Sequence, residues 1–446
     1  MSCARARSGE DSRLSILWTP VTGNDRAPSL QSLQQILRDP PGFVRALDDD
    51  HLLSRTEVVA TTVPAEDSIL LLGIGGSVLG TRALVDALVP SAGRLTVLDN
   101  IDPDGVDRIV SKLDMKRTTV LVISKSGSTA ETSAQLLRIF EELKKAGVDP
   151  DEKIIAITDP QHGPLRAMVN SRGWRALDVP PDVGGRYSVM TAVGWLPATL
   201  CGIDIHAIRD GARAALADLR SADMSHSLVR WISGWAQHHA QRKTVVMFPY
   251  RDRLRTFGDW FAQLWAESLG KRHDLHGAEV WAGSTPMIAR GVTDQHSLVQ
   301  LFAEGPDDKQ YLFLDAQIET ADPPINPETA TLHDDLAYLG GKSLGQLHAA
   351  EQSGTMAALS ASGRPVSKMT LEKLDAQHLG ALMLTWEMAT LMAAAALQVD
   401  PFDQPGVEAG KAIAFAKMGR EGWSEQAQSI LAGAPVVAPA PPIPVG

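Results

Sequence analysis

Residues 119–129 read Thr119-Val120-Leu121-Val122-Ile123-Ser124-Lys125-Ser126-Gly127-Ser128-Thr129. The first five form an apolar, β-branched run flanked by polar residues, the pattern of a buried strand. From Glu131 to Lys145, Leu136, Leu137, Phe140 and Leu143 recur at helical spacing. The hydroxyl-rich loop therefore joins a strand's C-terminal end to a helix N-terminus. There the first backbone N–H groups lack partners and the helix dipole favours an anion. Ser124, Ser126, Ser128 and Thr129 add hydroxyl donors, and Lys125 adds a positive charge. The loop has no magnesium ligand of the kind a nucleoside triphosphate needs, so it reads as a cradle for one phosphate monoester. Taken alone, the same residues equally describe a Ser/Thr-rich helix cap with solvated side chains.

The same alternation extends outward. Apolar runs at 69–72, 95–98 and 154–157 are separated by helical patterns at 82–88 and 106–113. A helical connector over roughly 190–240 follows. Alternation then resumes with strands at 245–248, Val280-Trp281, 311–314 and 366–369, and helices near 254–268, 294–303, 344–361 and 376–398. Strands alternating with helices imply parallel strands covered on both faces. The expected fold class is therefore α/β: two doubly wound parallel-sheet domains, a helical connector and a C-terminal helix. Ligands of such sheets bind beyond the carboxyl ends of the strands. Residues 1–28 are expected to be polar, irregular and partly mobile, and 434–446 a loose Pro/Ala-rich tail.

Composition narrows the class. A chain of 446 residues is long enough for two or more cores, and 44% hydrophobic with 21% charged content indicates a soluble globular protein. A formal net charge of −11 disfavours a nucleic-acid surface, while leaving room for a local basic pocket. The two cysteines, Cys3 and Cys201, form neither a disulfide framework nor a zinc site, which suits a reducing cytoplasm. The apolar stretch Leu379–Leu397 carries Glu387 mid-span, so it reads as a buried helix, with no membrane role expected. His273 and His276 lack further ligands at metal-site spacing and read as loop histidines.

After the first strand the chain reads Gly73-Ile74-Gly75-Gly76-Ser77-Val78. The dinucleotide fingerprint would need glycine at 78, and no Gly-Lys-Ser/Thr follows for a P-loop. Asp99 at the end of the next strand keeps a nicotinamide-dependent dehydrogenase as a weak rival. What remains is a glycine turn that brings backbone amides and Ser77 close to a ligand, or simply a tight strand-to-helix turn.

Four more stretches bear chemistry. Val183-Gly184-Gly185-Arg186-Tyr187-Ser188 places one arginine after two glycines. In Gln263-Leu264-Trp265-Ala266-Glu267-Ser268-Leu269-Gly270-Lys271, Gln263 and Glu267 share a helix face. Thr293-Asp294-Gln295-His296-Ser297 puts a histidine at a helix start, and Asp403-Gln404-Pro405-Gly406-Val407-Glu408-Ala409-Gly410-Lys411 puts a lysine one turn into the last helix.

Together with the two loops, these stretches resemble the glucose-6-phosphate isomerase family in its compact bacterial form. The motifs stand in the family's order from 73 to 411. Departures are mild: Ser126 and Ser128 stand where threonine is frequent, and Ala130 replaces a common threonine. The resemblance implies domains of sugar-isomerase (SIS) type. It sets a helical or irregular segment at 1–58, a sugar-phosphate-binding domain at 59–205, a second α/β domain with the connector at 206–400, and the catalytic helix with its tail at 401–446. It implies a hexose phosphate substrate, reversible aldose–ketose isomerisation in glycolysis and gluconeogenesis, and no metal or organic cofactor. Glu267 would shuttle the proton, and partial burial beside Trp265 is expected to raise its pKa. His296, donated across a homodimer, and Lys411 would open the ring, and Arg186 would stabilise the enediolate. Gly75, Gly76, Ser77, Ser124, Lys125, Ser126 and Thr129 would hold the phosphate, with Gln263 and Gln404 on substrate hydroxyls. A non-catalytic sugar-phosphate regulator is the rival within the same fold; it need not keep Glu267, His296, Arg186 and Lys411 together.

Overall fold

The buried apolar runs become strands and the amphipathic stretches become their covering helices. The computed structural model describes residues 16–19, 23–89 and 93–433. Its strands are β1 Ile16–Thr19, β2 Ser68–Leu72, β3 Leu95–Leu98, β4 Thr118–Ile123, β5 Ile154–Thr158, β6 Arg175–Asp178, β7 Thr244–Pro249, β8 Lys271–His273, β9 Glu279–Ala282, β10 Thr285–Ile288, β11 Lys309–Ala316 and β12 Val366–Leu371. The first sheet has the order β3-β2-β4-β5-β6 and is wholly parallel. All residues of β4 and β5 are buried, as unbroken apolar runs require in a sheet covered on both faces.

The second sheet has the order β1-β12-β11-β7-β10. Its parallel strands repeat the pattern of the first sheet: β10, the next strand of this sheet after β7, lies at the edge beside it, β11 and β12 continue the other way, and β1 closes the far edge. A repeat of topology is thus present where no repeat of sequence is visible. In each sheet the order reverses beside the leading strand, and ligands of open α/β sheets sit at that crevice.

Three sequence expectations are corrected. The segment 1–28 contains β1, which pairs antiparallel with β12 (Ile16 opposite Leu371), so the second sheet is not purely parallel. Four residues in a polar stretch are too short for periodicity to reveal. Val280-Trp281 is not a sheet strand; it lies in β9, which pairs antiparallel with β8 in a separate two-stranded ribbon. Its expected place is taken by β10, whose Pro286 is tolerated because β10 is an edge strand. The helix expected at 294–303 is a 3-10 turn, Thr293–His296, followed by a short helix, Val299–Glu304. Residues 1–15 and the Pro/Ala-rich stretch 434–446 lie outside the described residues, as does Cys3.

Helix Arg255–Leu269 joins the two halves. It packs on helix Leu79–Leu88 of the first half, on β7 and β10 of the second, and on helix Ala376–Leu397. Its inner face enters an aromatic cluster in which Trp265 meets Trp231, Trp235 and Trp386 edge-on, at centroid separations of 5.9, 5.3 and 6.3 Å. Helix Ala376–Leu397 is long and apolar enough to span a membrane, but here it is buried among helices of the fold, with Glu387 fully enclosed.

Candidate active site

The switch point of the first sheet lies between β2 and β4, and the two loops read from the sequence leave those adjacent strands. After β4, Ser124 is buried, its Oγ 3.1 Å from Thr129 Oγ1 and accepting from the Gly127 amide at 3.1 Å. Gly127 has φ +66°, which allows the sharp turn. Ser126 and Ser128 stand at the exposed lip, joined by the Ser128 amide donating to Ser126 Oγ. Helix Ala130–Lys145 starts directly behind, so its first amides face the same space. Lys125 is engaged differently: its Nζ donates to the carbonyls of Pro181 and Val183 at 2.7 and 2.8 Å. It therefore ties the hydroxyl-rich loop to the segment that leads into the turn carrying Arg186. Burial lowers its pKa, and Asp159 and Asp182 partly oppose that shift.

After β2, the glycines set the approach of neighbouring elements. A Cβ on Gly76 would lie 2.3 Å from the carbonyl carbon and oxygen of Gly185, so the 75–77 and 184–186 turns meet backbone to backbone. Gly75, at φ +58°, leaves room for Gln263, whose Nε2 would stand 2.8 Å from a Cβ there. Ser77 closes this turn.

Arg186 is the hub. Its side chain is 3% exposed and reaches five acceptors. Nε donates to Ser268 Oγ at 2.8 Å; Nη1 donates to Glu267 Oε2 at 3.1 Å and Gln404 Oε1 at 2.9 Å. Nη2 donates to the carbonyls of Pro401 at 2.5 Å and Asp403 at 3.0 Å. The planar fork makes these simultaneous bonds possible. Glu267 Oε1 accepts from Gln263 Nε2 at 3.1 Å, the i to i+4 contact expected on one helix face. Gln263 Oε1 is buried and has no hydrogen-bond partner among the described residues, leaving an acceptor beside the carboxylate.

Trp265 does not face Glu267. It is buried in the aromatic cluster, while the carboxylate, 34% exposed, faces Arg186 and Gln263. The expected neighbour Trp265 is thus replaced at the carboxylate by a cation and an amide. Arg186, Gln263, Glu267 and Gln404 converge, with Gly75 and Gly76 packed against them. His296 and Lys411 do not join them within one chain. His296 is exposed at the end of its 3-10 turn, and Lys411 pairs with Glu408 at 2.8 Å on the exposed helix Glu408–Lys417. His273 lies on β8 and His276 in the ribbon turn.

Sequence reasoning left Tyr187, Ser268, Lys271 and Asp403 without roles. The Tyr187 hydroxyl lies 2.8 Å from Ser268 Oγ, and burial raises its pKa. Lys271 Nζ donates to the carbonyls of Glu267 and Ser268 at 2.5 and 3.2 Å and lies 3.5 Å from Asp403 Oδ1. The signal available was position: Tyr187, Ser268 and Asp403 adjoin Arg186, Glu267 and Gln404, and Lys271 lies four residues beyond Glu267.

The family model described as phosphoglucose isomerase matches residues 51–429. A glucose-6-phosphate isomerase of Rubrobacter xylanophilus is 38% identical over 406 residues, covering 87% of this chain and 91% of that protein. Another, from Thermus thermophilus, is 37% identical over 375 residues, covering 83% and 88%. Among solved structures, a Thermus thermophilus protein described as hypothetical has a TM-score of 0.80 at 34% identity, covering 88% of this chain and 94% of that one. A glucose-6-phosphate isomerase from Chlamydia trachomatis shares the fold, with a TM-score of 0.73 at 22% identity over 91% of this chain and 80% of that one.

Proposed function

This chain belongs to the phosphoglucose isomerase family of aldose–ketose isomerases, and on that premise we propose that it interconverts glucose 6-phosphate and fructose 6-phosphate. The observation that carries the reading is the setting of Glu267. Its carboxylate is held between Arg186 and Gln263, beside the glycine turn, and that turn follows β2, the strand paired with the β4 strand that leads into the hydroxyl-rich loop.

In the ketose-to-aldose direction the phosphate sits on Ser124, Ser126, Thr129 and Ser77, where the helix N-terminus favours its charge. Anchoring that end holds C1 and C2 against Glu267. Glu267 removes a proton from C1; the C1–H electron pair becomes the C1–C2 double bond, and the carbonyl oxygen on C2 takes the negative charge. The product is a cis-enediolate. Arg186 stays cationic throughout and stabilises that oxygen. The hydroxyl proton on O1 then passes to O2, which leaves the negative charge on O1. Glu267 returns its proton to C2 as the C1–C2 π pair forms the new C–H bond and an O1 lone pair forms the C1 aldehyde. The vacant Gln263 Oε1 accepts from a substrate hydroxyl, and Gln404 binds a second.

Ring opening needs a proton moved between the ring oxygen and the anomeric hydroxyl. We assign it to His296, presented by the second subunit of a homodimer, and to Lys411. The helix carrying Lys411 begins at Glu408, four residues beyond Gln404. The setting is cytoplasmic carbohydrate metabolism, in glycolysis and gluconeogenesis.

The test is turnover of fructose 6-phosphate by the purified protein, with and without chelator, with glucose 6-phosphate measured enzymatically. Turnover in both conditions is expected. Glu267→Gln is expected to lose at least about 10³-fold in kcat while still binding the sugar phosphate. No product from the wild type, or substantial turnover by Glu267→Gln, would overturn the assignment.

A further inference from the structure

The carboxyl end of the Glu267 helix is capped in an unusual way. The helix stops at Leu269, and its last carbonyls need partners outside the helix. The Gly270 amide takes the Ala266 carbonyl at 2.9 Å. The next two, those of Glu267 and Ser268, are taken by a single side chain, the ammonium of Lys271. A cation at a helix C-terminus is favoured by the dipole. Here it is also buried, with the Lys271 side chain only 5% exposed.

The third neighbour of that ammonium is Asp403 Oδ1 at 3.5 Å. Asp403 belongs to the loop that Arg186 grips through the carbonyls of Pro401 and Asp403 and through Gln404. Two buried cations therefore bridge the same two segments in complementary fashion. Arg186 bonds the side chains of Glu267 and Ser268 and the main chain of the 401–403 loop. Lys271 bonds the main chain of Glu267 and Ser268 and faces the side chain of Asp403.

We propose that Lys271 is a positioning residue for the isomerisation proposed above: its ammonium fastens the Pro401–Gln404 loop to the end of the Glu267 helix and so holds Glu267, Arg186 and Gln404 in working register. The proposal rests on the isomerase reading. Lys271 differs from Arg186 in being able to lose its charge. The charged groups around it are Arg186 from the 185–187 turn and Asp403 and Asp400 from the loop; from its own helix end it meets the uncharged carbonyls of Glu267 and Ser268. Burial and Arg186 lower its pKa, while Asp403 and Asp400 raise it. The fastening is therefore complete when the lysine is protonated and is released as pH rises. Removing Asp403 must move that release to lower pH.

The experiment compares the wild type, Lys271→Met, Asp403→Asn and the double variant in steady-state assays with fructose 6-phosphate from about pH 6 to 10, up to near the ordinary lysine value of about 10.4. Wild-type turnover tests the reaction itself; the variant-to-wild-type ratios test Lys271. Lys271→Met is expected to lower kcat by about 10- to 100-fold, the effect of roughly an ångström of misplacement. KM should stay within about threefold, because the phosphate loop that anchors the substrate is untouched. Asp403→Asn should shift the alkaline fall of kcat to lower pH, and the double variant should be no slower than Lys271→Met, since both act through one contact. Asp403 is 53% exposed, so its variant reports even where Lys271→Met fails to fold. A pH profile of Asp403→Asn superimposable on wild type, or additive losses in the double variant, would overturn the proposal. So would a lowered Tm with kcat unchanged, the result of a purely structural strut.

Discussion

Gly76→Ala tests how tightly the active site depends on backbone contact between two turns. The added Cβ would lie 2.3 Å from the Gly185 carbonyl, where ordinary contact begins near 3.4 Å, and 2.7 Å from the Arg186 amide. The turns must separate by about 1 Å, because the obstacle is main chain and cannot rotate away. Arg186 follows directly and is fixed at five acceptors, so the shift reaches the Glu267 contact. A displacement of about 1 Å costs on the order of 10²-fold in rate, equal to about 2.7 kcal/mol in the barrier. Overpacking of this kind also destabilises by about 1–3 kcal/mol. The assay is fructose 6-phosphate turnover coupled to oxidation of glucose 6-phosphate, run well below the Tm measured by circular dichroism. Loss of kcat by about 10²-fold in a folded protein is expected. A folded variant with about the wild-type rate would refute the view that this contact sets the position of Arg186.

Mixing Glu267→Gln with His296→Ala subunits, each inactive alone, should restore part of the turnover after subunit exchange, because one hybrid site regains both groups; absence of recovery in exchanged hybrids would refute the shared site. Glu387 is fully buried, neither carboxylate oxygen has a hydrogen-bond partner among the described residues, and burial raises its pKa well above the ordinary value. Above the unfolded carboxylate pKa of about 4.3, the folded state holds a proton that the unfolded chain has released, so stability falls with pH by up to about 1.4 kcal/mol per unit until the folded pKa is reached. Glu387→Gln should therefore gain Tm over wild type at about pH 8 and gain less at about pH 5, on either side of that loss; an equal gain at both would refute a neutral buried acid.

Much of the scaffold was legible because burial on both faces leaves a direct mark. The runs that became β4, β5 and β7 are apolar without alternation, and no other environment accepts them. The rejection of a dinucleotide site also rests on particular residues. Val78 is fully buried where the fingerprint needs glycine, and Asp99, the acid that kept the rival alive, is paired with Arg82 at 2.6 Å. What stayed hidden depends on distance along the chain. Pro286 marks an edge strand only once β7 is known to flank it, and Val280-Trp281 looks like a core strand until its ribbon partner is seen. Arg186 meets Ser268 across 82 positions and Gln404 across 218, separations at which no local pattern survives. Tyr187 and Asp403 were invisible for the same reason, although each stands beside a residue picked out by type; Lys271 bonds carbonyls only three and four positions back, and its link to Asp403 is the distant one.

On the mechanism proposed above, the site divides along the chemistry it performs. Proton transfer between C1 and C2 needs a carboxylate and a fixed cation in rigid register, and those groups lie on the buried helix Arg255–Leu269 and the turn packed against it. Electrostatic stabilisation works best from groups that need not reorganise during the reaction. Ring opening makes the opposite demand. The closed sugar must enter and the acid and base must then reach its ring oxygen, so these groups belong on exposed elements. His296 on its 3-10 turn and Lys411 on the helix after Gln404 are so placed. The fastening of the 401–404 loop by Arg186 and Lys271 then acquires a second consequence. It sets the root from which the Lys411 helix extends, so the buried half of the site also aims its exposed half.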